Sequence, residues 1–280
     1  MMKLLKIYRI KTWFKNIGVS LIGLLSLDNI PKPEYTIIIP ISHTFLIQMH
    51  SFSMNDYFDF KLQDEKNHVG KLILKGKNEK LIIFLLILPL LFILPTLQYT
   101  KNIFSIFLLL TYIFTFFIYQ SPFFRLKRYY LPSIIINALC LGTILYIYPY
   151  LFFSTIINCK VIIFSLIFFT YVAFQEIIHQ IAHLKKDLTI SLPKIIGKKR
   201  SLSVCKNLLW LQIIIALQGT FTSTPIFIGT IFFTLLRIKK LNEISLKKTN
   251  FEELRNKLYG IHEGLYYLIT LSLSKFTTIF

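Results

Sequence analysis

The sequence predicts an all-α protein, a polytopic membrane bundle of about nine transmembrane helices, arranged as two four-helix halves plus one. Composition is the first reason: the 280 residues are 54% hydrophobic with a mean hydropathy of +0.60, more apolar material than one water-soluble core needs. The second is a series of uncharged runs close to the roughly 20 residues that cross a hydrocarbon core. The third is that basic loops alternate with loops almost free of Lys and Arg.

The apolar runs can be followed along the chain. Trp13 lies between Lys11 and Lys15, a combination suited to the headgroup zone, and we expect the first segment to be a retained helix. Pro89 and Pro95 fall inside the third segment and predict a kink. The predicted segments are approximately 12–29, 36–55, 81–98, 103–120, 131–153, 161–180, 204–219, 223–237 and 261–279.

The distribution of basic residues predicts the orientation. With the N-terminus in the cytoplasm, 28 of the 32 Lys and Arg residues lie in cytoplasmic segments, and the other side keeps only Lys32, Lys101, Lys160 and Lys275. The positive-inside rule therefore places the N-terminus and the acidic motifs on the cytoplasmic side of the plasma membrane. The net charge of +19 reflects this topology and an attraction to membrane lipids, so we expect no nucleic-acid partner.

Polar material is concentrated in two stretches, about 56–80 and 181–206, which we expect to form loops that cap one transmembrane domain spanning residues 1–280. Each stretch follows an even-numbered helix and ends in a turn that contains Lys and Gly. Asp64 and Asp187 lie 123 residues apart, close to the length of four helices with their loops. This spacing is the basis for the prediction of two related halves.

The first stretch begins with a row of polar side chains, in "HSFSMNDYFDFKLQD". Ser51, Asn55 and Asp59 recur every four residues and share one face of a helix, and Asp56 is adjacent to Asn55. Carboxylates at the end of a membrane helix are costly unless they meet a cation. Mg²⁺ is a natural partner because it combines one or two carboxylates with water and substrate phosphates. The alternative is a solvated loop whose acids balance nearby lysines.

The sequence "FQEIIHQIAHLKKDLTISLP" leads into the second stretch and includes its first residues. Glu176, His179, His183 and Asp187 follow one another at spacings of three and four, on a single helical stripe. Glu176 and His179 could be half of a di-iron carboxylate motif, but that architecture needs a matching Glu-x-x-His on another helix.

A third segment, "YQSPFFRLKRYYLP", places Arg125 and Lys127 on the same predicted side. Cations that face two acidic clusters are what a Mg²⁺-bridged diphosphate site needs, because the metal and the basic side chains share the phosphate charge. The alternative is ordinary positive-inside loop charge.

These segments resemble the UbiA superfamily of intramembrane prenyltransferases. "NDYFD" resembles the start of that family's NDxxDxxxD signature, "YQSPFFRLKR" its YSxPPxRLK segment, and "SLPKIIG" the TLPxxLG after its second acidic motif. "YRIKTWFKN" is similar to the beginning of its first helix, so the marks extend from Arg9 to Gly197. The resemblance implies a helical bundle around a central cavity, capped on the cytoplasmic side by both acidic motifs, with Mg²⁺ as cofactor.

The resemblance also implies roles for individual residues. Gln63 stands where the family has a third acid, with Asp64 one position later, and His183 stands at the first acid of the second motif. The implied catalytic residues are Asp59, Asp187, Arg125 and Lys127. The implied metal ligands are Asn55, Asp59, Asp64 and Asp187, and the remaining residues close to the diphosphate or metal are Asp56, Glu176, His179 and His183.

The expected activity is Mg²⁺-dependent transfer of an isoprenyl group from a polyprenyl diphosphate to a small acceptor, aromatic or a lipid precursor, with release of diphosphate. Within the same fold, phosphoribosyl transfer to a lipid carrier or cyclisation of the prenyl chain stays open. A catalytically impaired relative that binds prenyl lipid or a protein partner is a further alternative. A membrane transporter is another, but nearly all charged residues lie at helix ends on one side rather than near the middle of the bilayer.

The predicted orientation can be tested by cysteine labelling. In a variant without the native cysteines, Lys101→Cys should react with a membrane-impermeant maleimide in intact cells, whereas Lys77→Cys should react only after the membrane is opened. The reverse pattern would contradict the assignment of the acidic motifs to the cytoplasmic side.

Overall fold

The computed structural model describes residues 6–10, 16–28, 34–63, 67–184, 190–221, 224–245 and 260–276. Regular structure in these ranges is helical, apart from a single β-bridge between Tyr129 and Ile190. The prediction of an all-α protein is therefore confirmed. The α-helices are α1 Ile17–Leu25, α2 Ile38–Gln63, α3 His68–Leu74, α4 Glu79–Ile93, α5 Ile103–Gln120, α6 Tyr130–Asn137, α7 Leu145–Phe153, α8 Cys159–Ala182, α9 Leu192–Ile196, α10 Lys198–Gly219, α11 Thr224–Ser245 and α12 Gly260–Phe276.

Five helical segments of the described chain are long and apolar enough to cross a membrane. They agree with the predicted segments 81–98, 103–120, 131–153, 161–180 and 204–219. The other four predicted segments correspond to α1, α2, α11 and α12, for which a membrane crossing stays a prediction. The five candidate spans are Glu79–Tyr99, Ile103–Gln120, Tyr130–Phe153, Cys159–Ala182 and Lys198–Gly219.

Local sequence explains where several helices begin. Asn67, Asn78, Asn102 and Asn158 each precede a helix, and each side-chain oxygen accepts a hydrogen bond from a backbone N–H two or three residues later, at 2.9–3.0 Å. These are N-cap contacts, which satisfy backbone donors that the first turn leaves without a partner. At the other end of α4, the helix tightens into a 3₁₀ turn over Leu94–Tyr99, which contains Pro95.

Two close helix contacts depend on glycine, and one of them lies in a deviation from a plain α-helix. Residues Ala138–Ile144 form a π-helical segment between α6 and α7. Gly142 within it lies so close to α8 that a methyl group there would be 2.7 Å from the carbonyl oxygen of Phe168. On α1, a methyl group at Gly23 would overlap the carbonyl oxygen of Tyr146 in α7. Small residues thus allow close helix contacts, as is usual in membrane bundles.

Helix α12 is joined to the bundle by a buried ion pair. Arg237 of α11 is fully buried, pairs with Glu263 of α12, and lies 4.6 Å from the ring centroid of Tyr171 in α8. The Tyr267 hydroxyl donates to the same carboxylate at 2.5 Å. Arg237 is the last residue of the predicted segment 223–237, but α11 continues to Ser245, so the guanidinium lies inside the bundle with a carboxylate partner.

The α1–α7 contact provides a test of the packing. We expect Gly23→Ala to lower the free energy of unfolding by about 1–3 kcal/mol, because the added methyl group forces the two backbones apart. Gly18→Ala, on the same helix with no atom within 4 Å of the new methyl group, should leave it almost unchanged. Thermal unfolding of both variants in detergent measures the difference, and equal midpoints would contradict the packing described here.

Candidate functional site

The C-terminal part of α2 carries the first set of predicted site residues. Because α2 continues to Gln63 without interruption, Asn55 and Asp59 keep the helical spacing that the sequence predicts. The Asn55 side-chain amide donates to the Asp59 carboxylate at 2.9 Å. Asp59 is only 8% exposed, so its charge is largely removed from solvent.

The loop between α5 and α6 supplies the cations for this carboxylate. Lys127 forms an ion pair with Asp59 and donates to the side-chain oxygen of Asn55 at 3.0 Å. An Arg125 guanidinium nitrogen lies 3.9 Å from the same Asp59 oxygen. We call Asn55, Asp59, Arg125 and Lys127 the acid–cation cluster. Two sequence segments that were predicted to cooperate therefore meet in the structure.

The loop that carries these cations is held by backbone contacts at both ends. Arg125 has a left-handed backbone conformation, with φ of 44°, and its N–H donates to the carbonyl of Ser121 at 2.9 Å. The carbonyl of Arg128 accepts from the N–H of Ile190 at 2.9 Å, next to the bridge between Tyr129 and Ile190. The basic loop is thus joined to the second polar stretch of the chain.

Asp56 has a different partner from its neighbours. Its carboxylate forms an ion pair of 2.7 Å with Arg9, and its backbone carbonyl accepts from the Asn67 side chain at 2.6 Å. Asp56 lies just beyond the predicted span 36–55. Burial raises the pKa of its carboxyl, and the positive charge of Arg9 opposes this rise. Sequence reasoning gave Arg9 no role of its own, because nothing in the sequence signals a contact across 47 positions.

Glu176 lies in a network of neutral side chains between α6 and α8. Its carboxylate accepts hydrogen bonds from Ser133 at 2.9 Å, Asn137 at 3.0 Å and Gln180 at 3.3 Å. The Gln180 side-chain oxygen in turn accepts from the backbone N–H of Leu192, at the start of α9. We call Glu176, Ser133, Asn137 and Gln180 the Glu176 network. The i+4 spacings of Ser133 with Asn137 and of Glu176 with Gln180 are the sequence signals for it.

The two histidines lie together at the end of α8. The ring centroids of His179 and His183 are 4.4 Å apart, and the N–H of His183 donates to the carbonyl of His179 at 3.1 Å. Asp64 and Asp187, which were predicted as metal ligands, lie outside the described residues, and of Gln63 only the backbone position at the end of α2 is described.

The metal-ligating side chains in the described part of the chain can be compared with the ligands that the predicted Mg²⁺ requires. Within the described ranges, no group of three or more His, Cys, Asp or Glu side chains could hold a metal ion. The Asn55 and Asp59 side-chain oxygens nevertheless converge on one cation, the Lys127 ammonium. Two oxygen donors directed at a single positive charge fit a hard divalent ion, for which carboxylate and amide oxygens are preferred ligands.

Comparison with known proteins identifies a family model that matches most of the chain. The sequence model of the UbiA prenyltransferase family matches residues 17–250. No curated protein matches the chain.

Several solved structures share the fold. One from a study of digeranylgeranylglyceryl phosphate synthase in membranes has a TM-score of 0.77 and 17% identity, over 96% of this chain and 98% of its own. A UbiA homolog from Archaeoglobus fulgidus has a TM-score of 0.74 and 17% identity, over 96% and 98% of the two chains. The same homolog bound to GPP and Mg²⁺ has a TM-score of 0.73 and 15% identity, over 96% and 99%. At these identities the likeness establishes the fold.

The Glu176 network predicts a specific stability difference. Glu176→Ala removes the acceptor of three side-chain donors and should lower the free energy of unfolding by about 1–3 kcal/mol, because Asn137 and Gln180 are buried. Gln175→Ala, one position earlier, removes a single donor to the Tyr171 hydroxyl and should have a smaller effect. Thermal unfolding in detergent compares the two variants, and equal destabilisation would show that the network is not important for stability.

Proposed function

The chain belongs to the UbiA prenyltransferase family, and we propose that it transfers an isoprenyl group from an isoprenyl diphosphate to a small acceptor within the membrane, releasing diphosphate. The observation that carries this proposal is the acid–cation cluster, in which Lys127 and Arg125 meet Asn55 and Asp59 at one end of the bundle. The acceptor class that we favour is an aromatic compound or a lipid precursor. This assignment would place the protein in quinone or prenyl-lipid biosynthesis.

The cluster has the charges that a diphosphate with its cation requires. Arg125 and Lys127 offer N–H donors to phosphate oxygens, and Asn55 and Asp59 offer oxygens to a metal. The Archaeoglobus fulgidus homolog has been solved with GPP or DMAPP together with Mg²⁺, which supports this choice of donor and cofactor. We propose that Asp64 and Asp187 complete the metal ligands, with Asp56, His179 and His183 close to them.

The proposed reaction breaks the allylic C–O bond, and the electron pair leaves with the diphosphate. Mg²⁺, when bound, would neutralise part of the charge that develops on the leaving group. Lys127 and Arg125 hold the diphosphate oxygens, and for this Lys127 exchanges its contact with Asp59 for phosphate. Because both side chains are almost buried, with 11% and 4% of their surface exposed, water competes little for these contacts. The acceptor forms the new bond to the allylic carbon and gives up a proton, for which His179 and His183 are the candidate bases.

We propose the same membrane setting as the sequence predicts: one transmembrane domain in the plasma membrane, with the acid–cation cluster on the cytoplasmic side. A diphosphate headgroup would then bind at the cytoplasmic surface while its isoprenoid tail stays among the apolar helices. In this position the enzyme would receive a soluble donor from the cytoplasm, or a membrane-bound donor from the cytoplasmic leaflet.

The proposal is tested by assaying purified protein in lipid with labelled geranyl, farnesyl and geranylgeranyl diphosphates, Mg²⁺ and a panel of acceptors. We expect diphosphate release with at least one donor. Lys127→Gln and Asp59→Asn should each lower kcat/KM by about 100-fold or more, because each removes a charge that acts on the leaving group.

Lys77→Gln is the matched control for Lys127→Gln, since it removes an exposed lysine from the α3–α4 loop. It should retain near-normal turnover. No release with any donor would contradict prenyl transfer and favour a relative that only binds lipid, whereas full activity of Lys127→Gln would contradict the site.

A further inference from the structure

The α5–α6 loop and the segment that precedes α10 carry exposed apolar side chains beyond the ends of the membrane-spanning helices. Phe123 is 89% exposed, and Phe124 and Tyr129 in the same loop are at least half exposed. Ile190 and Ile195, before α10, are exposed to a similar degree as Tyr129. Single exposed apolar residues are common on proteins, but a group of large ones marks a surface that contacts a partner.

The two segments form one continuous surface. Tyr129 and Ile190 are joined by the β-bridge, and the N–H of Ile190 donates to the carbonyl of Arg128 at 2.9 Å. In the α5–α6 loop, Phe123 and Phe124 lie at the tip of the hydrogen-bonded turn described above. The exposed side chains are therefore carried by a backbone that is fixed in both segments.

This surface lies where four of the candidate membrane spans end. The loop connects Ile103–Gln120 with Tyr130–Phe153, and the second segment lies between Cys159–Ala182 and Lys198–Gly219. Because the bridge joins the two segments, all four ends meet on the same side of the membrane. Side chains just beyond the end of a span lie at the depth of the lipid headgroups, where aromatic rings are favoured.

The same surface is strongly basic. Residues 121–129 and 190–200 contain seven Lys and Arg residues and no Asp or Glu. Arg125 and Lys127 belong to the acid–cation cluster, whereas Lys199 and Arg200 lie exposed in the first turn of α10. Cations in the first turn oppose the helix dipole, so an external anion is favoured there. We call the following exposed residues the interface patch: Phe123, Phe124, Tyr129, Ile190, Ile195, Lys199 and Arg200.

We propose that the interface patch binds the headgroup zone of a membrane that contains anionic lipids. Exposed aromatic and aliphatic side chains beside cations are the combination that such a surface attracts. Phe123 and Phe124 place their rings among the headgroups, and Lys199 and Arg200 contact lipid phosphates. Because Phe124 directly precedes Arg125, this contact also holds the acid–cation cluster at the depth of the headgroups. The inference does not depend on which group the protein transfers.

A depth measurement tests the membrane contact. In a variant without the native cysteines, a nitroxide is attached at Phe123→Cys in lipid nanodiscs, and electron paramagnetic resonance measures its collisions with oxygen and with a water-soluble nickel complex. Lys77→Cys, in an exposed loop, gives the reference for water, and Phe107→Cys, on the exposed face of α5, gives the reference for lipid. The Phe123 label should be about threefold or more less accessible to nickel than the Lys77 label, as expected for the headgroup zone.

A second measurement tests the charge of the lipid. Replacing about a third of the phosphatidylcholine by phosphatidylglycerol should raise the unfolding midpoint of the unmodified protein, since a ligand of the folded state stabilises it. Lys199→Gln/Arg200→Gln should lose about half of this increase or more, because each cation near an anionic surface contributes to binding. Lys75→Gln/Lys77→Gln removes the same charge from the exposed α3–α4 loop and should keep most of the increase.

Four results would overturn the proposal. Nickel accessibility equal to that at Lys77 would place the patch in water. A Phe123 label shielded from both oxygen and nickel would show that protein covers the patch, for example a second copy of this chain. An equal loss in the two charge variants would show that lipid charge acts on the whole protein. An unfolding midpoint that phosphatidylglycerol leaves unchanged would exclude anionic lipid as the partner.

Discussion

The structure depends on how carboxylates at the C-terminal end of α2 are matched by positive charge. Asp56 and Asp59 are both almost buried at the end of α2, where an unpaired charge is expensive. Each is matched from a different direction, Asp59 by the α5–α6 loop and Asp56 by the N-terminal segment. The need to pair these acids therefore brings two remote parts of the chain to one place.

A second polar network shows a different solution to the same problem. Glu176 is surrounded by hydroxyl and amide donors from α6 and α8, so its described hydrogen bonds spread the negative charge over neutral dipoles. Through Gln180 the network also reaches the start of α9, which lies within the second polar stretch. The acid–cation cluster is suited to exchange one partner for a charged ligand, whereas the Glu176 network is suited to hold helices in place.

Some features could be predicted from the sequence because they follow from helical periodicity or from the side of the membrane on which a loop is expected. The segment 103–120 coincides with α5, and the convergence of Asn55, Asp59 and Lys127 follows from helical spacing and from loops predicted on one side. Features that depend on how helices rotate against each other were not accessible. The Ser133 partner of Glu176 and the Arg9 partner of Asp56 are set by packing across many residues. The stretch 56–80, expected as a loop, is largely helical, because α2 extends to Gln63 and α3 follows.

The π-helical segment Ala138–Ile144 has a consequence for comparing or recombining related chains. Each hydrogen bond of a π-helix joins residues five positions apart, where an α-helix joins residues four apart. The residues before and after the segment are therefore rotated relative to a continuous α-helix. Ser133 and Asn137 can thus face Glu176 while Tyr146, in α7, packs in the aromatic core. Against a relative with a plain α-helix in this place, an alignment without a gap would assign half of this span to the wrong face. A chimera with such a relative that exchanged only one half would need a compensating one-residue deletion or insertion.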